Sequence, residues 1–354
     1  MKILIAIFSV FYLSALKTSA QENLPVHKGR EYYVEDFTSK VNISPFAFKS
    51  SNMFTLQGKG RLDYEPNDYL SLGIRFMHKW LGFAYSYAPK NLQERLKGTT
   101  TYTNFQLNSY GKKMGFDIYY LGYSGYYISN TRQLEELRTL VPKNEFIKRP
   151  DIATISIGTN IYYIYNHKKY SYRSTFVQNE IQKHSAGSFM LSASFSYYNI
   201  SADSSIVPAA FVNVENEARL RRGDFYSLCF MPGYGHTFVI SNGFFITLSL
   251  FGGLNIQQQH YFVDISSKQF DKAAFIPRVM GRGGIGYNSK KFYCGIMSIG
   301  DDYVVPLSKG EKLTYLVGSA SFYLGFRFNV PKSMQKYSNK LDAVPALFMI
   351  QKNN

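Results

Sequence analysis

The sequence predicts an all-β fold, an antiparallel up-and-down transmembrane β-barrel of about fourteen strands, with twelve as the alternative. Three observations predict it. Apolar and polar residues alternate at period two along most of the chain. Past the N-terminus no apolar run approaches the eighteen or so residues that a membrane helix needs. Short and long connections take turns, as they do when tight turns sit on one side of a membrane and loops on the other. Composition agrees, since 30 Tyr and 29 Phe make the chain 17% aromatic with a single Trp, while 18% is charged. A helical membrane bundle is excluded, and strands that are apolar on one face only are favoured.

Residues 1–20 read as a secretory signal peptide. Lys2 is followed by the apolar stretch 3–16 and then by Thr18-Ser19-Ala20, with cleavage expected near Ala20. Its removal takes away Lys2 and Lys17 and leaves 38 basic against 24 acidic residues, a net charge of +14. Such a balance suits an anionic membrane surface. Outer-membrane lipids, lipopolysaccharide and the barrel-assembly machinery are the expected partners. Nucleic acid is not, because export separates the chain from it and the aromatics are spread rather than clustered. Cys229 and Cys294 make neither a disulfide framework nor a metal site, and no cofactor is expected.

Residues 21–40 are expected to form a periplasmic segment, 41–329 the barrel and 330–354 a C-terminal extension. The predicted strands are 41–57, 61–77, 80–88, 100–110, 113–127, 151–165, 169–179, 188–200, a weak 204–214, then 224–240, 243–256, 274–287, 290–300 and 314–329. Alternation is clearest in the last, where Leu316, Gly318, Ala320, Phe322, Leu324, Phe326 and Phe328 oppose Ser319, Ser321, Tyr323 and Arg327. The same pattern places Leu70, Leu72, Ile74 and Phe76 opposite Ser71 and Arg75, and Phe244, Ile246, Leu248 and Leu250 opposite Thr247 and Ser249. Tight turns are read at 78–79, 111–112, 166–169, 241–243 and 288–291, and longer connections at 89–99, 130–150, 180–187, 257–272 and 302–312. A short surface helix is expected within 132–140. Tyrosine pairs at 119–120, 126–127, 162–163 and 197–198 fit the aromatic girdles of a membrane barrel.

If the apolar face meets lipid, Arg75, Asp117, Arg278, Arg282 and Arg327 point inward, because a charge facing the bilayer midplane costs about 2–4 kcal/mol. They are the candidate lumen-lining residues. With four Arg against one Asp, a conducting lumen would prefer anions. A hydrolase would need a Ser with a base in reach and a group orienting that base. His184, Ser185 and His236 are the candidates, although adjacent extended residues such as His184 and Ser185 point to opposite faces. Gly281-Arg282-Gly283-Gly284 lacks the helix that a phosphate loop requires and is read as relief of crowding in a strand. Asp301-Asp302 reads as a solvated loop pair, and Arg219, Arg221 and Arg222 as a basic loop run.

Local phrases carry a family resemblance. Tyr64-Glu65-Pro66-Asn67, Leu72-Gly73, Lys79-Trp80, Arg149-Pro150-Asp151 and Gln182-Lys183-His184-Ser185-Ala186-Gly187-Ser188 resemble an uncharacterised Bacteroidota family, domain of unknown function 4421. The resemblance spans about 41–329. It implies a Gram-negative outer-membrane barrel and supplies no activity. The leading functional expectation is a non-enzymatic channel or transport-related pore with a basic lumen. An outer-membrane lipid-directed hydrolase is the alternative, and a secreted glycan-binding β protein carries less weight.

Overall fold

The computed structural model describes residues 29–68, 70–79, 81–87, 94–241, 243–263, 268–335 and 338. The expected signal peptide with its cut near Ala20, and nearly all of the extension beyond 335, lie outside the described residues.

A short helix α1 (Arg30–Tyr33) leads into β1 (Val34–Asp36), and the wall strands follow: β2 (Val41–Gln57), β3 (Arg61–Pro66), β4 (Ser71–His78), β5 (Leu81–Tyr87), β6 (Thr101–Tyr110), β7 (Met114–Ile128) and β8 (Lys148–Ile164). Next come β9 (Glu180–Gln182), β10 (Ala186–Ser201), β11 (Leu220–Ser241), β12 (Phe244–Val263), β13 (Lys268–Asn288), β14 (Phe292–Pro306) and β15 (Lys312–Phe328). Two further helical turns are α2 (Glu135–Arg138) and α3 (Arg173–Phe176). β1 and β9 form a separate two-stranded sheet.

Every wall pairing is antiparallel, and β15 pairs with β2 from Lys312↔Gln57 to Phe328↔Val41, which closes the sheet. The closed circuit is β2, β3, β7, β8 and β10 to β15, ten strands. β4, β5 and β6 belong to the same sheet outside that circuit. The count of fourteen, or twelve, is therefore corrected, for three physical reasons. The predicted strand 61–77 is divided: its first part, β3, continues to β7, while β4 pairs with β5. At the break Pro66 has no N–H to give, and Asn67 instead binds the 94–100 loop through Glu94 O at 2.8 Å and Gly98 O at 2.5 Å. The predicted strands 169–179 and 204–214 are inward-folded connections.

Inside and outside are inverted relative to a soluble protein. Along β12, Leu254 is 66% exposed and Ile256 48%, whereas the alternating Asn255 and Gln257 are 2% and 0% exposed. Phe189 at 71% and Phe275 at 76% carry the same outward apolar surface onto β10 and β13, while Ser192, Ser194 and Ser196 are buried within. Exposed apolar rows over buried polar rows are what strand alternation gives when the outer phase is hydrocarbon. Most tight turns lie at one end, called lower here, and most long connections at the other; the 58–60 turn, at the upper end, and the 165–185 connection, at the lower end, depart from this. Gly243 sits in the β11–β12 turn at φ +95°, and an added Cβ would lie 2.7 Å from Asn288 O, so this turn requires glycine.

Candidate functional site

The barrel interior is the candidate site, and its middle is filled by two arginine centres. Arg278 of β13 grips Asp301 of β14 with both nitrogens of its fork, Nε to Oδ1 at 2.9 Å and Nη2 to Oδ2 at 2.6 Å, and donates to Ser194 Oγ at 3.0 Å. Its guanidinium lies 3.9 Å from the Tyr303 ring centroid and also donates to that hydroxyl, which stands 3.0 Å from the Tyr119 hydroxyl. Four residues further down β13, beyond inward Met280, Arg282 pairs with Asp117 of β7 at 2.5 Å and donates to Tyr110 at 2.8 Å and to Tyr162. Side chains in both pairs are at most 8% exposed. Two desolvated charges hold together only when geometry and further hydrogen bonds offset the lost hydration, and Tyr303, Tyr110 and Tyr162, with Ser194, supply those bonds. The cavity left beside these centres, among Gln106, Asn108, Asp117 and Asp301, has a volume of about 50 Å³.

Below the arginine centres the connection between β8 and β10 turns inward as a plug. Residues 170–182 are buried throughout. Glu180, fully buried, gathers Arg30 at 2.6 Å, Ser171 at 2.5 Å and Arg173 at 3.3 Å. The plug is fastened to the wall by Asn288, whose amide donates to Ser174 O at 3.1 Å and Glu180 O at 3.2 Å, by Arg327 to Gln178 O at 2.5 Å, and by Thr175 against Thr247 at 2.7 Å. The predicted short turn at 166–169 and strand at 169–179 are thus one closure. Arg75 also reaches it, 3.5 Å from Gln178 Oε1, and stacks on Phe46. Arg327 stacks on Phe37 and Tyr293. Among the described residues neither Arg75 nor Arg327 forms an ion pair.

The upper mouth is closed by the 202–219 connection. Ile206, Val207, Phe211, Val214 and Ala218 are buried there among Tyr64, Leu121, Tyr126, Tyr198 and Tyr315. This cap is held through its carbonyls: Arg149 donates to Ile206 O at 2.7 Å and Ser205 O at 3.0 Å, Tyr64 to Ile206 O at 2.5 Å, and Arg219 to Pro208 O and Phe211 O. Asp151, above the apolar belt, grips Arg149 at 2.8 and 2.7 Å, and those hydrogen bonds hold its carboxyl below the usual aspartate range. Arg219 is thus a cap anchor. The weak strand read at 204–214 is this cap, and Leu137 of α2 packs beneath it rather than on the surface.

Arg278, Arg282, Asp117 and Arg327 are buried in the interior, and Arg75 is half-buried beside the plug. Asp301 corrects the reading of Asp301-Asp302 as loop: both lie in β14, with Asp301 inward and Asp302 exposed. The four-to-one excess of Arg is accordingly reduced by a second acid in the middle of the barrel. Extending the period-two pattern of 290–300 by two residues would have placed Asp301 inside. The Gly281–Gly286 run is strand, as read. His184, Ser185 and His236 come from one end of the barrel but do not assemble. His184 stacks on Tyr32 at 4.1 Å, Ser185 Oγ is engaged by the Val239 backbone at 2.9 and 3.4 Å, and His236 packs on Phe238 and Tyr234. No hydrogen bond joins the three among the described residues. Cys229 and Cys294 are both free thiols.

Comparison with known proteins places these features in a wider set. The family described as "Domain of unknown function (DUF4421)" matches residues 31–328. None of the curated proteins matches the chain. Among solved structures, it is similar to the outer membrane protease OmpT from Escherichia coli, at 9% identity and TM-score 0.35, over 83% of this chain and 98% of that one. It is also similar to the translocator domain of the autotransporter NalP from Neisseria meningitidis, at 9% identity and TM-score 0.30, over 92% and 97%. A third is the Pseudomonas putida toluene transporter TodX, at 8% identity and TM-score 0.25, over 82% and 89%. At these scores no residue role passes to this chain.

Proposed function

The chain belongs to the DUF4421 family, a domain of unknown function, and from that premise we propose its role on the barrel alone: an integral outer-membrane protein of a Gram-negative, Bacteroidota-type envelope, transport-related, non-enzymatic and shut in its resting state. The observation that carries this reading is the interior, in which a cap, two buried Arg–Asp pairs and a plug follow one another along the axis. The outward apolar rows support membrane insertion. The plug is held by a handful of polar bonds from the wall, so it is the element whose displacement would open a path. Arg75 and Arg327 at that end would favour anions in the opened path. The hydrolase reading finds no support in the engagements of His184, Ser185 and His236, and an apolar exterior disfavours a soluble glycan binder.

Current through planar bilayers tests this. The native protein is expected to carry no steady current, and Asn288→Ala combined with Glu180→Ala to show bursts of conductance. Steady large currents through the native protein would refute closure, and silence in both would refute transport.

A further inference from the structure

Among the described residues the wall is interrupted at one seam. β5 pairs with β4 and β6 with β7, and among the described residues no ladder joins β5 to β6. The β3–β7 pairing bounds the opening above. Open strand edges are not tolerated against hydrocarbon, since lipid tails cannot satisfy their N–H and C=O groups. Whatever covers this seam must offer hydrogen bonds.

A cavity of about 350 Å³ lies at the seam, lined by Ser50, Asp68, Ser71, Ser86, Thr101 and Asn104 among others. Its polar groups are held in place: Asn104 donates to Ser50 Oγ at 3.1 Å, and the Ser71 and Tyr102 hydroxyls are 3.3 Å apart. The Asp68 side chain is only 8% exposed, and its ion pair, with Lys49, is long at 3.7 Å. Around this polar hollow the outer surface is apolar, with Leu70, Leu72 and Ile74 on one side and Phe105 and Leu107 on the other all exposed. A polar hollow carrying a carboxylate and opening in a lipid-facing wall matches a molecule that has a donor-bearing cationic head and an apolar tail.

We propose that the β5–β6 seam binds a membrane-borne amphipath with a primary ammonium head, the head on Asp68, Ser50 and Ser71 and the tail along Leu72, Ile74 and Phe105. This rests on the membrane reading above. Phosphatidylethanolamine is the probe, and phosphatidylcholine, whose head has no N–H to donate, the control. Native mass spectrometry of the full chain released from mild detergent is expected to retain one phosphatidylethanolamine per chain and no phosphatidylcholine. Asp68→Asn is expected to weaken retention about tenfold, the loss of one charge-assisted hydrogen bond. Asn104→Leu, read the same way, serves if Asp68→Asn fails to fold, with heat-shifted gel migration reporting the fold. Equal retention of the two lipids, retention unchanged in a folded variant, or a seam filled by a second copy and seen as a dimer overturns the proposal. A chain that stays in solution without detergent overturns the membrane reading instead.

Discussion

Replacing Asp301 by alanine is expected to be among the most damaging single changes in this protein. The carboxylate is held by Arg278 Nε and Nη2 at 2.9 and 2.6 Å, and the arginine side chain is 1% exposed. Truncation takes both of those bonds from a buried guanidinium and leaves it Ser194 Oγ and Tyr303 as hydrogen-bond partners. Removing one member of a buried pair costs about 3–5 kcal/mol, a change of more than about a hundredfold in the folding equilibrium. Removing both charges as Arg278→Met with Asp301→Leu is expected to recover most of that loss, since apolar replacement of a whole buried pair is often near neutral. The exposed Arg138–Glu135 pair supplies the contrast, as Glu135→Ala is expected to cost about 0.5 kcal/mol or less. Urea titration of the folded fraction in lipid vesicles, read by heat-shifted gel migration, gives all three. A loss below about 1 kcal/mol for Asp301→Ala would mean that the pair is bathed in water, and the filled interior would be wrong.

Acid is expected to loosen the cap before the barrel. The Asp151 carboxyl titrates below its ordinary value of about 3.9, so its contribution is complete above that pH and is lost as pH falls through the lower folded value. Protection of 202–219 against hydrogen exchange, taken relative to the intrinsic rate at each pH, should be high at pH 6 and fall below about pH 4, and Asp151→Asn should abolish the difference. A pH response unchanged in Asp151→Asn would rule out this anchor. Ser185 is expected to be unreactive toward a fluorophosphonate probe, because its hydroxyl is engaged by the Val239 backbone. Labelling at Ser185 that disappears in His236→Ala would reinstate the hydrolase reading.

Much of the wall was legible because a half-buried strand must alternate, and alternation is local. β5, β6, β7 and β15 fall within a residue or two of the predicted spans. β11 to β14 run past theirs where the outer face turns polar, as at Gln258 and Asp271, because these strands continue beyond the apolar belt with buried inner rows. The plug was misread because Tyr170, Tyr172 and Phe176 mimic period two, yet both faces of that segment are enclosed and amphipathicity no longer reports its direction. The cap was misread for a related reason: Ile206, Val207 and Phe211 are apolar because they fill the mouth of the barrel. The inward Arg residues could be found from parity alone, but their partners are 23 and 165 residues away in sequence, a separation that periodicity cannot bridge.

The two native cysteines permit the most direct measurement. Cys229 faces the interior and is fully buried, while Cys294 of β14 is partly exposed on the outer surface. With the unmodified protein in lipid vesicles, Cys294 should react with a lipid-soluble maleimide, and Cys229 should resist a small water-soluble thiol reagent until the barrel is unfolded. Labelling of Cys229 from water in the folded protein would contradict a sealed interior, and a Cys294 reached only from water would contradict a lipid-facing wall.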